Sequence, residues 1–279
     1  MEELEVDGLV IREVETGEAD KMITLLTGER GRLSISGKGL SSIRHKYAAS
    51  SQLFSYSTYL LKRRNKYWYI ADAFYIDNFM ELRYDLDKLS LANYICEVVY
   101  EFAQEEIENR ELMSLTLNTL YALAKKENLP EEQLRGAFEF RMAVQEGFMP
   151  DLESCAVCGR DVSGEDSTLD VMNGRLLCRS CRTKLENDPA YLADETAKIL
   201  IRVSPAVLAA LRFIEYAPPK KFLSFALDKT ELSLFSVVCE RYLLNHVEHG
   251  FSSLEYYKKN GCLWNPCYIC GYWHCNSFD

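Results

Sequence analysis

The residues best suited to chemistry are two pairs of cysteines. Cys155-x2-Cys158 is followed after nineteen residues by Cys178-x2-Cys181. Thiolates three residues apart grip one ion from a tight knuckle turn, and two such knuckles complete a tetrahedral sulfur site. The spacing fits a zinc ribbon. Four reduced cysteines without a ligand, or a dithiol redox pair from a single CxxC, are the alternatives; two paired units favour zinc. Four sulfur ligands leave no position for water or substrate, so the expected ion is one structural Zn2+. A looser group, Cys262, Cys267, Cys270, His274 and Cys275, sits in the tail 261–279. It has no second well-spaced pair and reads as an atypical extension, with a second metal site left open.

No catalytic constellation accompanies these cysteines. Gly31 to Lys38 resembles a phosphate loop but has one residue too many between its glycines, and Gly39 stands where the magnesium-binding Ser or Thr belongs. GxSxG and HExxH do not occur, and no GxGxxG follows a strand. A metal-dependent hydrolase is disfavoured by the all-sulfur site, and the chain reads as a non-enzyme.

A second kind of chemistry lies in the charge pattern. Residues 31–71 contain no Asp or Glu but hold Arg32, Lys38, Arg44, Lys46, Lys62, Arg63, Arg64 and Lys66. The formal net charge of the chain is −10, and removing this +8 leaves −18 on the remainder. Phosphates attract cations and are repelled by neighbouring carboxylates, so such a stretch suits a nucleic-acid face. Aromatic residues are interleaved: Tyr47, Phe54, Tyr56, Tyr59, Tyr67, Trp68 and Tyr69. Alternation puts Trp68 inside and leaves Tyr67 and Tyr69 as stacking platforms for bases. The competing reading is a solvated hairpin tip with its rings in a core.

The elements that must position these residues follow from periodicity. Residues 1–80 alternate with period two: Leu33 with Ile35, then Leu53 to Leu60, then Trp68, Ile70, Phe74 and Ile76 on one parity. Turn signals at Thr16-Gly17, Thr27-Gly28, Gly37-Lys38-Gly39 and Arg64-Asn65 separate about five strands, which predicts a small closed barrel such as an OB fold. From residue 81 the period becomes helical: Leu91, Ile95, Val98, Val99 and Phe102; Leu112, Leu115, Leu120 and Leu123; Leu134, Phe138 and Met142. Pro130 is placed in the first turn of the third helix. Ser204-Pro205 opens another helix and Pro218-Pro219 stops it. The expected architecture is multidomain α+β: an OB-fold barrel over 1–80, then a helical domain over 81–279 with a zinc-binding insertion at about 151–185. No run of eighteen apolar residues indicates a membrane span, and the acidic N-terminus lacks the pattern of a secretory signal, so a cytoplasmic protein is expected.

Gly37-Lys38-Gly39, the stretch FEFRMAVQEGFMPDLESCAVCGR, and NGRLLCRSC together resemble the bacterial RecO family of DNA repair proteins. The resemblance covers roughly residues 1–255 and is most specific from Phe138 to Cys181, through Arg141, Gly147, Pro150 and the four cysteines. It implies a nucleoid-associated recombination mediator. Such proteins bind single- and double-stranded DNA, anneal complementary strands, join RecR, and help load RecA onto DNA covered by single-strand-binding protein. It also implies contact between the helical part and the acidic, apolar C-terminal tail of that binding protein. Arg141 beside Phe140 is the candidate for that contact, against an arginine that merely satisfies helix carbonyls. The tail beyond Lys259 departs from the family pattern. The runner-up reading is a protein-interaction adaptor whose basic barrel face binds an acidic partner.

Overall fold

The computed structural model describes residues 2–189, 191, 198–247 and 249–260. The tail group Cys262, Cys267, Cys270, His274 and Cys275 lies outside them. Five strands, β1 (Glu3–Glu15), β2 (Lys21–Thr27), β3 (Gly31–Gly37), β4 (Tyr56–Arg64) and β5 (Tyr67–Asp77), close into a barrel of order β1-β2-β3-β5-β4. Closure comes from the parallel pairing of β3 with β5 at Ile35 and Trp68. Inward-facing residues fill it: Val6, Val10, Ile23, Leu25, Leu33, Ile35, Tyr59, Leu61 and Trp68. The middle of β1, residues 8–11, is buried on both faces, because Leu9 and Ile11 on its other parity pack against the helices.

Two expectations for these strands change. Leu53 to Ser55 is not strand; Phe54 adopts φ 66° and is buried in the helical core. In β5 the register steps from Ile70 to Asp72 opposite adjacent residues of β4, which leaves Ala71 as an inserted residue. A one-residue insertion reverses parity. Trp68 and Ile70 therefore face the barrel core, Ala73 takes the next inward place, and Phe74 and Ile76 turn to solvent.

A 3-10 turn (Met80–Tyr84) leads into α1 (Leu86–Phe102), α2 (Arg110–Lys125) and α3 (Glu131–Gln145). Their starts are written locally. Asp85 accepts from the Asp87 and Lys88 amides, and Asn109 accepts from the Leu112 amide. Pro130 falls one position earlier than expected, at the N-cap. Next come β6 (Asp151–Cys155), β7 (Ser167–Asp170), β8 (Arg175–Cys178), α4 (Arg179–Glu186) and β9 (Leu200–Val203), with sheet order β6-β8-β7-β9. The cysteine element is thus completed by a strand beyond residue 185. α5 (Pro205–Tyr216), capped by Ser204, α6 (Lys229–Val247) and α7 (Ser252–Asn260) follow.

One continuous core holds the helices, the outer side of the barrel and the small sheet together. It includes Leu9, Phe54, Leu91, Phe138, Leu169, Leu176, Val203, Phe235 and Leu243. Among the described residues no helix is long and apolar enough to cross a membrane.

Candidate nucleic-acid interface and metal centre

The two CxxC units meet because their strands are neighbours. Cys155 ends β6, Cys158 follows in its turn, Cys178 ends β8 and Cys181 lies in the first turn of α4. The four Sγ atoms lie within 4.8 Å of one another. Cys158 Sγ and Cys178 Sγ are 3.9 Å apart, close to the edge of about 3.8 Å that a tetrahedron with metal–sulfur bonds of about 2.3 Å requires. Gly159 turns the first knuckle at φ 69°, donating its amide to the Cys155 carbonyl at 2.8 Å.

The surroundings favour thiolate. The Cys178 amide donates to Cys155 Sγ at 3.3 Å, and Arg160 approaches Cys178 Sγ at 3.3 Å. Burial pushes the Cys178 thiol up, but hydrogen bonds from Ser180 and Arg160 outweigh it and bring it down to about 5. The hydrogen bond with Cys178 and then burial hold Cys181 up at about 12. Several thiolates this close repel one another, a cost that a bound cation would relieve. Arg212, which the sequence did not single out, donates from α5 to the carbonyls of Leu152 and Glu153 and to Ser163 Oγ. It ties the knuckle-bearing β6 to the helices.

The cations of residues 31–71 divide into three groups. Lys38, His45, Lys46 and Arg64 line a groove of about 670 Å³ with Ser36 and Tyr69, and none of its lining residues is acidic. Gly39, at φ 71°, donates its amide to Asp20 Oδ1, fixing the turn that presents Lys38. Tyr47 is buried under Lys46, whose ammonium lies 4.3 Å from the ring centre, and its hydroxyl donates to the Ala71 carbonyl. Arg44 is exposed in the same loop but does not line the groove.

The second group is already engaged. Arg32 donates to the Tyr100 carbonyl at 2.9 Å and stacks on its ring, joining the barrel to α1. Lys62 pairs with Glu3 at 2.9 Å. The third group, Arg63 and Lys66, lines a depression of about 510 Å³ with Ser34, Tyr67, Glu105 and Glu106. Arg63 pairs there with Glu106 at 3.0 Å and with Glu2 at 3.5 Å. Clearing carboxylates from one stretch of chain therefore does not clear them from its surface, because β1 and the connection after α1 return them. Of the interleaved rings, Tyr47, Phe54, Tyr59 and Trp68 are buried, while Tyr56, Tyr67 and Tyr69 keep partial exposure.

The expected partner contact at Phe140 and Arg141 is corrected. Phe140 is fully buried. Arg141 Nη1 donates to the carbonyls of Ile214 and Glu215 at 2.7 and 2.6 Å, where α5 ends and its last carbonyls lack helical partners. A different groove, of about 400 Å³, lies between α2 and the segment after α5. Tyr121, Ala122, Phe222 and Leu223 form its apolar lining, with Lys126 and Lys220 at its side. Its halves lie almost a hundred residues apart in the chain, so no local pattern announced it.

Residues 1–79 match the family described as Recombination protein O N terminal, and residues 83–255 match Recombination protein O C terminal. The DNA repair protein RecO of Acetivibrio thermocellus is 29% identical over 258 residues, covering 92% of this chain and 97% of that relative. Those of Desulforamulus reducens and Alkaliphilus metalliredigens are 29% and 27% identical, covering 91% and 92% of this chain and 95% and 99% of the relatives.

Proposed function

The chain belongs to the RecO family, and from that premise we propose that it is a non-enzymatic mediator of recombinational DNA repair that holds DNA on its barrel. The observation that carries this reading is the groove lined by Lys38, Lys46 and Arg64 without an acidic residue. The three cations would neutralise phosphates, and Tyr69 would stack on a base at the groove's side. Barrel closure and strand order support reading this part as an OB fold, an architecture suited to oligonucleotides. Neutralising backbone charge on two strands at once lowers their mutual repulsion, which is what annealing needs.

Cys155, Cys158, Cys178 and Cys181 would hold one Zn2+, which supplies a structural cross-link and no reaction. The ion would fix β6, β8 and α4 against the helices. Contacts with RecR and, through it, with RecA belong to the same reading. The acidic, apolar tail of single-strand-binding protein suits the groove between α2 and Phe222, where Lys126 and Lys220 flank apolar walls, better than it suits Phe140 and Arg141.

The test is titration of a fluorescent single-stranded oligonucleotide at several salt concentrations. Three phosphate contacts give a log–log slope of about −2. A Lys38→Ala, Lys46→Ala, Arg64→Ala variant, folded and metal-loaded, should lose most of that slope along with affinity. Absent or salt-independent binding by the wild-type protein would overturn the reading in favour of a protein-interaction adaptor.

A further inference from the structure

The connection between α1 and α2, residues 103–109, is laid against the barrel by its backbone. The Arg32 amide donates to the Gln104 carbonyl at 2.9 Å, and the Glu106 amide donates to the Arg32 carbonyl at 3.2 Å. The Asn109 amide donates to the Gly28 carbonyl at 3.0 Å, and Gly31 and Arg32 each bridge to Glu105. Glu106 is held at φ 57°, a left-handed conformation unusual for glutamate and sustained by this clamp. The result is a fixed platform that sets two carboxylates in the lining of the depression, one of them on Arg63. Glu106 meets Arg63 at 3.0 Å, and Glu105 Oε1 lies 3.5 Å from Ser34 Oγ. Lys66 and Tyr67 line the same depression.

This depression continues the cationic groove. Ser36 lines the groove and Ser34 the depression. Two residues apart on one strand face, they are separated by about 7 Å, roughly one nucleotide step. Arg64 and Asn65 line the groove, and their chain neighbours Arg63 and Lys66 line the depression.

We propose that Glu105 and Glu106 are an internal competitor for nucleic acid, occupying a second phosphate subsite formed by Arg63, Lys66 and Tyr67 until a strand lying in the groove displaces them. The inference rests on the reading of the groove given above and concerns the regulation of that site. Arg63 and Glu106 keep 31% and 38% of their side-chain surface exposed, so their pairing is weak enough to exchange for a phosphate. A ligand that reaches only the groove leaves the carboxylates in place; a strand that spans both must expel them. The connection thereby sets how much chain length and charge a ligand needs before it is held.

The experiment compares the wild type with a Glu105→Gln, Glu106→Gln variant, matched in zinc content and circular dichroism, binding a long fluorescent oligothymidylate. The variant should bind about two- to fivefold more tightly at low salt, with a log–log slope steeper by up to about 0.7 as Arg63, left with only Glu2 at 3.5 Å, gains a phosphate. Adding Arg63→Ala to the variant should remove both gains. Normal binding by the wild type with unchanged or weaker binding by the variant overturns the inference and leaves the groove standing. No binding by either protein overturns the groove reading and this inference together. Binding by the variant alone supports the inference in its strongest form.

Discussion

At the scale of single residues, the four sulfurs carry the most constrained chemistry. Cys178 is the member with the most support: it is buried, approached by Arg160, in contact with Ser180, and 3.9 Å from Cys158 Sγ. A serine there keeps the size but not the soft thiolate, and three sulfurs would hold the ion far less tightly. Cys178→Ser should therefore drop the metal content, measured by mass spectrometry, from about one ion per chain towards none. It should also cost about 4 kcal/mol or more in urea unfolding, as expected when a structural metal is lost. Retention of a full equivalent of zinc would remove Cys178 from the ligand set. This site was legible because its signal is local: a CxxC knuckle is four consecutive residues, and only the meeting of the two knuckles needed the sheet. Arg141 shows the opposite case. Its neighbours in sequence suggested a partner contact, and its real partners are carbonyls more than seventy residues away.

At the scale of elements, connections decide more than strands and helices do. The entry into β3 accepts the connection after α1 only because Gly31 has no side chain. A Cβ there would lie 2.2 Å from the Ile107 carbonyl oxygen and 2.5 Å from that of Gln104, and its φ of 54° already disfavours any other residue. Gly39 is a useful contrast, with φ 71° but only the edge of His45 at 3.6 Å. Gly39→Ala should cost about 1 kcal/mol, the left-handed penalty alone. Gly31→Ala should cost about 3 kcal/mol or more, because the clash requires backbone to move. Urea unfolding measures both, and hydrogen exchange at the Arg32 amide should quicken only in the second. Equal costs would mean that the connection is not clamped as described. The inserted Ala71 in β5 is a further element-scale decision. It reverses the parity of the strand beyond it and turns Phe74 and Ile76 outward.

At the scale of the whole molecule, the helical part is organised around a buried ionic cluster. Arg135 of α3 meets Glu139 at 2.8 Å and Glu240 of α6 at 2.6 Å. Tyr94 of α1 donates to Glu139 at 2.9 Å, and Lys258 of α7 pairs with Glu240. Burial pushes the Glu139 carboxyl up to about 7, with Arg135 holding it down. Arg135→Met should cost about 3–5 kcal/mol, because two carboxylates lose their shared cation in a buried setting. A carboxyl whose folded pKa exceeds its unfolded value binds more protons when folded, so stability falls as pH rises. The Arg135→Met variant should thus be more stable near pH 5 than near pH 8, by a wider margin than the wild type. Urea unfolding at the two pH values checks this, and an unchanged margin would mean that Glu139 does not carry the effect. By itself the sequence determined the barrel-then-helices order, the Ser204 cap, the four-sulfur site and the concentration of cations in residues 31–71, since each depends on neighbours a few positions apart. Tertiary structure alone decided which cations are available. It brought Glu2, Glu3 and Glu106 from outside the stretch onto Lys62 and Arg63, turned Arg32 onto Tyr100, and left Lys38, Lys46 and Arg64 facing a groove. The reason is physical: covalent neighbours set backbone conformation and periodicity, whereas the potential at a side chain is set by whatever charge the fold places within a few ångströms, however distant it is along the chain.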